Sequence, residues 1–177
     1  LGVGVRLFIE GEEEAGSPSF RNFLERHRDK LAADVIVVAD SSNWAAGTPA
    51  LTTSLRGMCA LEFEVSTLDH AVHSGMYGGV VPDAMLAMTK VLASLHDDDG
   101  AVAVAGLAAV PESPIDYAEA TVREDSGVLP GTALIGTGSL ASRMWTQPSI
   151  TVIGLDIPDV DVSSNTLQPS LRAKLSI

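Results

Sequence analysis

Apolar residues recur at every second position at the start of the chain, where Val3, Val5, Leu7 and Ile9 run into an acidic turn from Glu10 to Glu14. Ser17 is placed to cap a helix with Pro18 at its first position, where a missing N–H costs nothing. Phe20, Phe23, Leu24 and Leu31 then mark one helical face, and Arg21, Glu25, Arg26, Arg28, Asp29 and Lys30 take the wet one. Val35 to Ala39 is a short continuous apolar run, the pattern of a strand covered on both faces. Strand–helix–strand of this length predicts a parallel crossover unit of an α/β layer.

The pattern changes after Asp40. Ser41 to Thr48 reads as a polar loop and a boundary, giving a first domain over 1–50 and a second over 51–177. Cys59, Leu61, Phe63, Val65 and Thr67 alternate with Glu62, Glu64 and Ser66, as in an antiparallel sheet with one wet face; Cys59 falls on the core phase. Pro82 opens a helix whose Ala84, Met88, Val91, Leu92 and Leu95 share a stripe, closed by the turn His96 to Gly100. Further elements are a strand near Ala101 to Ala105, helices near Ile115 to Glu124 and Leu140 to Trp145, and strands at Ile150 to Leu155 and Leu171 to Ile177. Trp44 and Trp145 read as packing anchors. The fold class is therefore α+β, preceded by a strand–helix–strand piece.

Composition narrows the chemistry. Eleven Lys and Arg against 23 Asp and Glu leave a net charge of -12, which disfavours phosphate backbones and anionic lipid, so no nucleic-acid or membrane partner is expected. The longest uncharged apolar stretch, Gly100 to Pro111, is too short to span a bilayer. A single cysteine excludes an internal disulfide or a zinc site built from cysteines, and with no visible signal segment it points to the cytoplasm. Leu1 is not an initiator methionine, so the chain reads as a piece of something longer.

Two clusters could carry chemistry. Glu10, Glu12, Glu13 and Glu14 crowd one turn after a strand, and such like charges must be solvated, protonated or neutralised by a cation. The turn is either an exposed acidic loop or a metal site; Asp40, ending the next strand, would emerge on the same sheet edge if the two strands pair. The second cluster is His70-Ala71-Val72-His73-Ser74-Gly75 with Gly78 and Gly79, either a solvated loop or a backbone closely approached by a ligand. Asp97-Asp98-Asp99-Gly100 lacks the spacing of a calcium loop, and Gly136-Thr137-Gly138 is too short for a dinucleotide motif.

Glu10-Gly11-x-Glu13-Glu14-x-Gly16-Ser17, Asp40 and His73-Ser74-Gly75-x-x-Gly78-Gly79 together resemble the M20 metallopeptidases, and within them the carnosinase-like dipeptidases. Asn165-Thr166-x-x-Pro169 and the tail Ala173 to Ile177 are similar to the segment closing that family's inserted domain. The resemblance implies hydrolysis of dipeptides or related amides with two zinc ions, or manganese. Aminoacylases and desuccinylases share the motifs, so the substrate is a peptide or an N-acyl amino acid. It also implies a lid of four antiparallel strands with two helices, through which two copies form a homodimer. By the same resemblance Glu13 is the general base, Glu14 and Asp40 are metal ligands, His73 reaches into the neighbouring subunit's site and stabilises the oxyanion, and Asn165 and Thr166 lie near the substrate carboxylate. The family's upstream His-x-Asp pair, bridging Asp and late His are not in this sequence. The chain by itself is therefore expected to bind zinc weakly and to lack peptidase activity. As an alternative, it serves alone as a self-associating module.

Overall fold

The computed structural model describes residues 2–41, 43–107 and 112–177, so the end of the apolar stretch from Gly100 lies outside the described residues. The chain divides into two compact units, Leu1–Thr53 and Ser54–Ile177.

In the first unit the helix is present and the two flanking strands are not. α1 spans Phe20–Leu31, with a break from helical geometry at His27. Its start corrects the expected cap. Ser19, not Ser17, precedes the helix, and Ser17 sits at φ 50°, a left-handed position. The reason is a long reach: the Glu12 carboxylate accepts hydrogen bonds from both the Ser19 amide (3.1 Å) and the Ser19 hydroxyl, and this holds the turn tight. Phe8 packs on Phe20 and Phe23, with ring centroids 5.8 and 5.1 Å apart. The Arg6 guanidinium donates to the Ala32 carbonyl. Among the described residues, however, no ladder joins Val3–Ile9 to Val35–Ala39. Leu7 and Ile9 are 87% and 89% exposed, and Val35 to Val38 are exposed throughout. A parallel strand gets its hydrogen bonds and its covered faces from neighbours, and these two segments have none within the unit.

The second unit is built on a three-stranded antiparallel sheet in the order β1-β5-β3. Here β1 is Ala60–Ser66, β3 is Thr151–Leu155 and β5 is Ser170–Ser176. Among the described residues this sheet has three strands where four were expected. The segment Ala101 to Ala105, read as a strand, makes only a bridge from Val102 to His96. Asp97 is responsible: its carboxylate accepts from the amides of Asp99 (3.0 Å) and Ala101 (2.8 Å) and folds the segment back onto the helix before it. A two-stranded ribbon pairs β2, Val72–His73, with β4, Thr166–Leu167.

Alternation along β5 is complete. Leu171, Ala173 and Leu175 are buried, while Arg172 and Lys174 face out beside Asp156 and Glu62. The helix α2 spans Ser74–Tyr77, and α3, Ala84–Ala93, lays Ala84 and Met88 on Leu171 and Ala173, with Phe63, Val65, Met85 and Leu92 around them. Asp83 caps α3 by accepting from the Met85 amide, so Pro82 stands just outside the helix rather than at its first position. Val91, read as part of the stripe, is 40% exposed.

α4 covers Glu119–Ser126, later than expected, because Asp116 is engaged elsewhere: its carboxylate accepts from the amides of Tyr117 and Ala141. α5 is Leu140–Trp145, as the pattern predicts. Trp145 meets Tyr117 edge-on at 5.3 Å, and both Trp44 and Trp145 keep more than a third of their surface exposed. Cys59 is exposed rather than core, because it extends the edge strand β1 by pairing with Ile177 beyond the cover of α3.

Candidate functional site

His73 ends β2, directly opposite Thr166 in the ribbon. The next amide, Ser74 N–H, donates to the Asn165 carbonyl at 2.9 Å. Three residues singled out in the sequence, His73, Asn165 and Thr166, therefore stand together although some ninety positions separate the two segments. His73 and Asn165 are exposed and Thr166 is half-buried, its hydroxyl 2.8 Å from that of Ser164. The arrangement puts an imidazole, a carboxamide and a hydroxyl, all hydrogen-bonding groups, on one short ribbon.

The glycines after His73 serve the loop's own geometry. Of the two readings open for this loop, a solvated turn or a backbone approached by a ligand, the local geometry accounts for the glycines by the first. A Cβ on Gly75 would lie 2.9 Å from Cε1 of the His73 ring, and one on Gly78 would lie 2.5 Å from the Ser74 carbonyl oxygen. Gly78 N–H donates to that same oxygen at 2.7 Å, closing the single turn of α2. Gly79 takes φ 87°, where side chains are strained. The His73 side chain caps this turn by accepting from Gly75 N–H at 3.0 Å. Nothing local in the sequence reveals the ribbon partner, because the pairing is set by the return of the chain at Asn165.

The acidic turn is a 3-10 turn over Glu13–Ala15, closed by Gly16 at φ 83°. Its four carboxylates are in different situations. Glu12 is spent on structure: the Ser19 hydroxyl, and then the Ser19 amide, hold its carboxyl below the usual carboxylate range. Glu10 is half-buried, and among the described residues its Oε1 has no hydrogen-bond partner. Glu13 and Glu14 are exposed, as is Asp40. Because the flanking segments are unpaired, no shared sheet edge gathers these groups. Among the described residues no three His, Cys, Asp or Glu side chains come together as a metal cage. The donors are of the hard carboxylate type that suits divalent ions, but the chain does not by itself supply enough of them in one place.

The antiparallel sheet backed by α3, with His73 on a separate ribbon, lies within the match to one family, the peptidase dimerisation domain. Residues 53–177 match that family (M20_dimer), and the chain belongs to it. It is 35% identical over 99% of its length to a "Cysteinylglycine-S-conjugate dipeptidase" of Corynebacterium striatum, and covers 39% of that protein. It is 28% identical over 87% of its length to a "Cys-Gly metallodipeptidase" of Saccharomyces cerevisiae, covering 34% of it. The crystal structure of human carnosine dipeptidase 1 superposes with a TM-score of 0.67 at 28% identity, covering 95% of this chain and 38% of that one. The chain thus spans under two-fifths of the length of these relatives. Among the described residues no helix is long and apolar enough to cross a membrane.

Proposed function

We propose that this chain is the central part of a metal-dependent dipeptidase, carrying part of the catalytic domain in residues 1–50 and the lid in 51–177. The observation that carries the reading is the ribbon on which His73 is paired with Thr166 beside Asn165. Glu14 and Asp40 would each give one oxygen donor to a pair of zinc ions, or manganese, whose other ligands come from outside this sequence. When bound there, such ions would supply a water of lowered pKa and polarise the scissile carbonyl. Glu13 takes the proton from the attacking water and hands it to the leaving amine. His73 donates to the oxygen that becomes negative in the transition state. Asn165 and Thr166 present a carboxamide and a hydroxyl to the substrate carboxylate. The dipeptide class follows the activities for which these relatives are named; the lone cysteine suits a reducing cytoplasm, where we place the enzyme.

The test is turnover of a dipeptide by a longer version that restores the missing ligands. His73→Ala is expected to lower kcat by about 10²–10³-fold, and Glu13→Ala by about 10²–10⁴-fold. The 177-residue chain alone is expected to give no rate above that of the metal ion alone. Undiminished turnover in either variant, or efficient turnover by the isolated chain, overturns the reading.

The same chain is proposed to self-associate through residues 51–177, as the name of the matching family suggests. Equilibrium sedimentation should then give twice 18.4 kDa. A monomer at tens of micromolar (roughly the range of weak specific association) would count against it.

A further inference from the structure

We propose that Gly75 is a positioning residue for His73: its backbone N–H fixes the imidazole in the tautomer that carries its proton on Nε2, and its missing side chain leaves the ring room to stay there. The inference rests on the role proposed above for His73. A neutral imidazole has one N–H and one bare nitrogen, and the partner of one nitrogen decides which is which. Here Nδ1 accepts from Gly75 N–H at 3.0 Å, so Nδ1 is the bare nitrogen and Nε2 is the donor. An oxyanion needs a donor, and the opposite tautomer would present it with a lone pair.

Three features keep the ring in this state. His73 is held in the ribbon opposite Thr166, Ser74 N–H is anchored on the Asn165 carbonyl, and Gly75 lies in the turn that follows at once. A Cβ at Gly75 would come within 2.9 Å of Cε1, closer than real Cβ atoms approach, and 3.1 Å of Nδ1, tighter than most such contacts. The atoms in its way belong to the imidazole and not to the backbone. Gly75 does not take a left-handed φ, so alanine suits its backbone. The Gly75→Ala exchange therefore keeps the fold and displaces the ring.

The experiment is nitrogen NMR of the histidine rings in the 177-residue chain, at about pH 9 where free imidazole is neutral. The His73 signals are assigned by their loss in His73→Gln. Expected in the unmodified chain are a single Nε2–H tautomer and a scalar coupling from the Gly75 amide nitrogen to Nδ1 across the hydrogen bond. In Gly75→Ala the coupling should vanish and the His73 nitrogens should move toward a mixture of tautomers, with His27, His70 and His96 unchanged. A helix cap with no bearing on the ring's protonation would leave the tautomer unaltered in the variant. That result, or an Nδ1–H or mixed tautomer in the unmodified chain, overturns the proposal. Should the variant fail to fold, the coupling in the unmodified chain decides alone. Failure here is read in ring nitrogens without metal or substrate, whereas failure of the catalytic reading is read in turnover.

Discussion

Ser142 is 1% exposed, and its hydroxyl has two assignments: it accepts from the Ser113 amide at 2.8 Å and lies 2.9 Å from the Ser139 hydroxyl that caps α5. Ser142→Ala would leave the half-buried Ser113 amide without this partner. Unfolding in urea should show a loss of about 1–3 kcal/mol for the second unit, and an unchanged midpoint would show that water replaces the hydroxyl. None of this could be read from the sequence, where Ser142 is one polar residue in a short helix. The same holds for Glu12. Four acidic residues within five positions advertise a cation, yet one of them is occupied by a serine seven positions on. Spacing shows which groups are near one another along the chain, and it does not show which of them the fold has already engaged.

At the level of elements, alternation was a good guide wherever a strand had one covered face. β1 and β5 fall where Phe63, Val65, Leu171, Ala173 and Leu175 place them. It failed for Cys59, since an alternating pattern says which side a residue takes and not how far the covering helix extends. It failed for Ala101 to Ala105 because Asp97 satisfies that backbone locally. On the wet face of the sheet, Lys174 Nζ lies 3.0 Å from Glu62, and this hydrogen bond, with the lysine's charge, holds the Glu62 carboxyl below its ordinary range. A carboxyl lowered on folding stabilises above its unfolded pKa and loses that contribution as pH falls through the folded value. Glu62→Gln should therefore melt earlier than the unmodified chain at pH 7, by a small margin for so exposed a pair. The gap should close in acid, below about pH 4. A gap that persists there would assign the effect to packing.

For the whole molecule the sequence predicts a strand–helix–strand piece followed by an α+β domain, and the chain divides into two compact units, Leu1–Thr53 and Ser54–Ile177. The flanking segments of the first do not form strands, because a strand buried on both faces is specified by partners that must be present. Val35 to Val38, each more than three-quarters exposed, make a patch that ordinary soluble surfaces avoid. Hydrogen exchange should discriminate between the units. Amides of residues 3–9 and 35–39 should exchange freely, and those of Leu171 to Leu175 should be slower on the order of 10³-fold or more. Equal protection in both would mean that the first unit finds cover, by self-association or otherwise.

β5 lies between β1 and β3, yet it leaves the ribosome after both of them. Its neighbours do not touch each other, so neither has a ladder to join until residues 170–176 have been translated. Vectorial synthesis therefore keeps this unit open to the last, with β1 idle for more than a hundred codons. Any pause in translation before Ser170 prolongs the interval in which chaperones or stray strand edges compete for it.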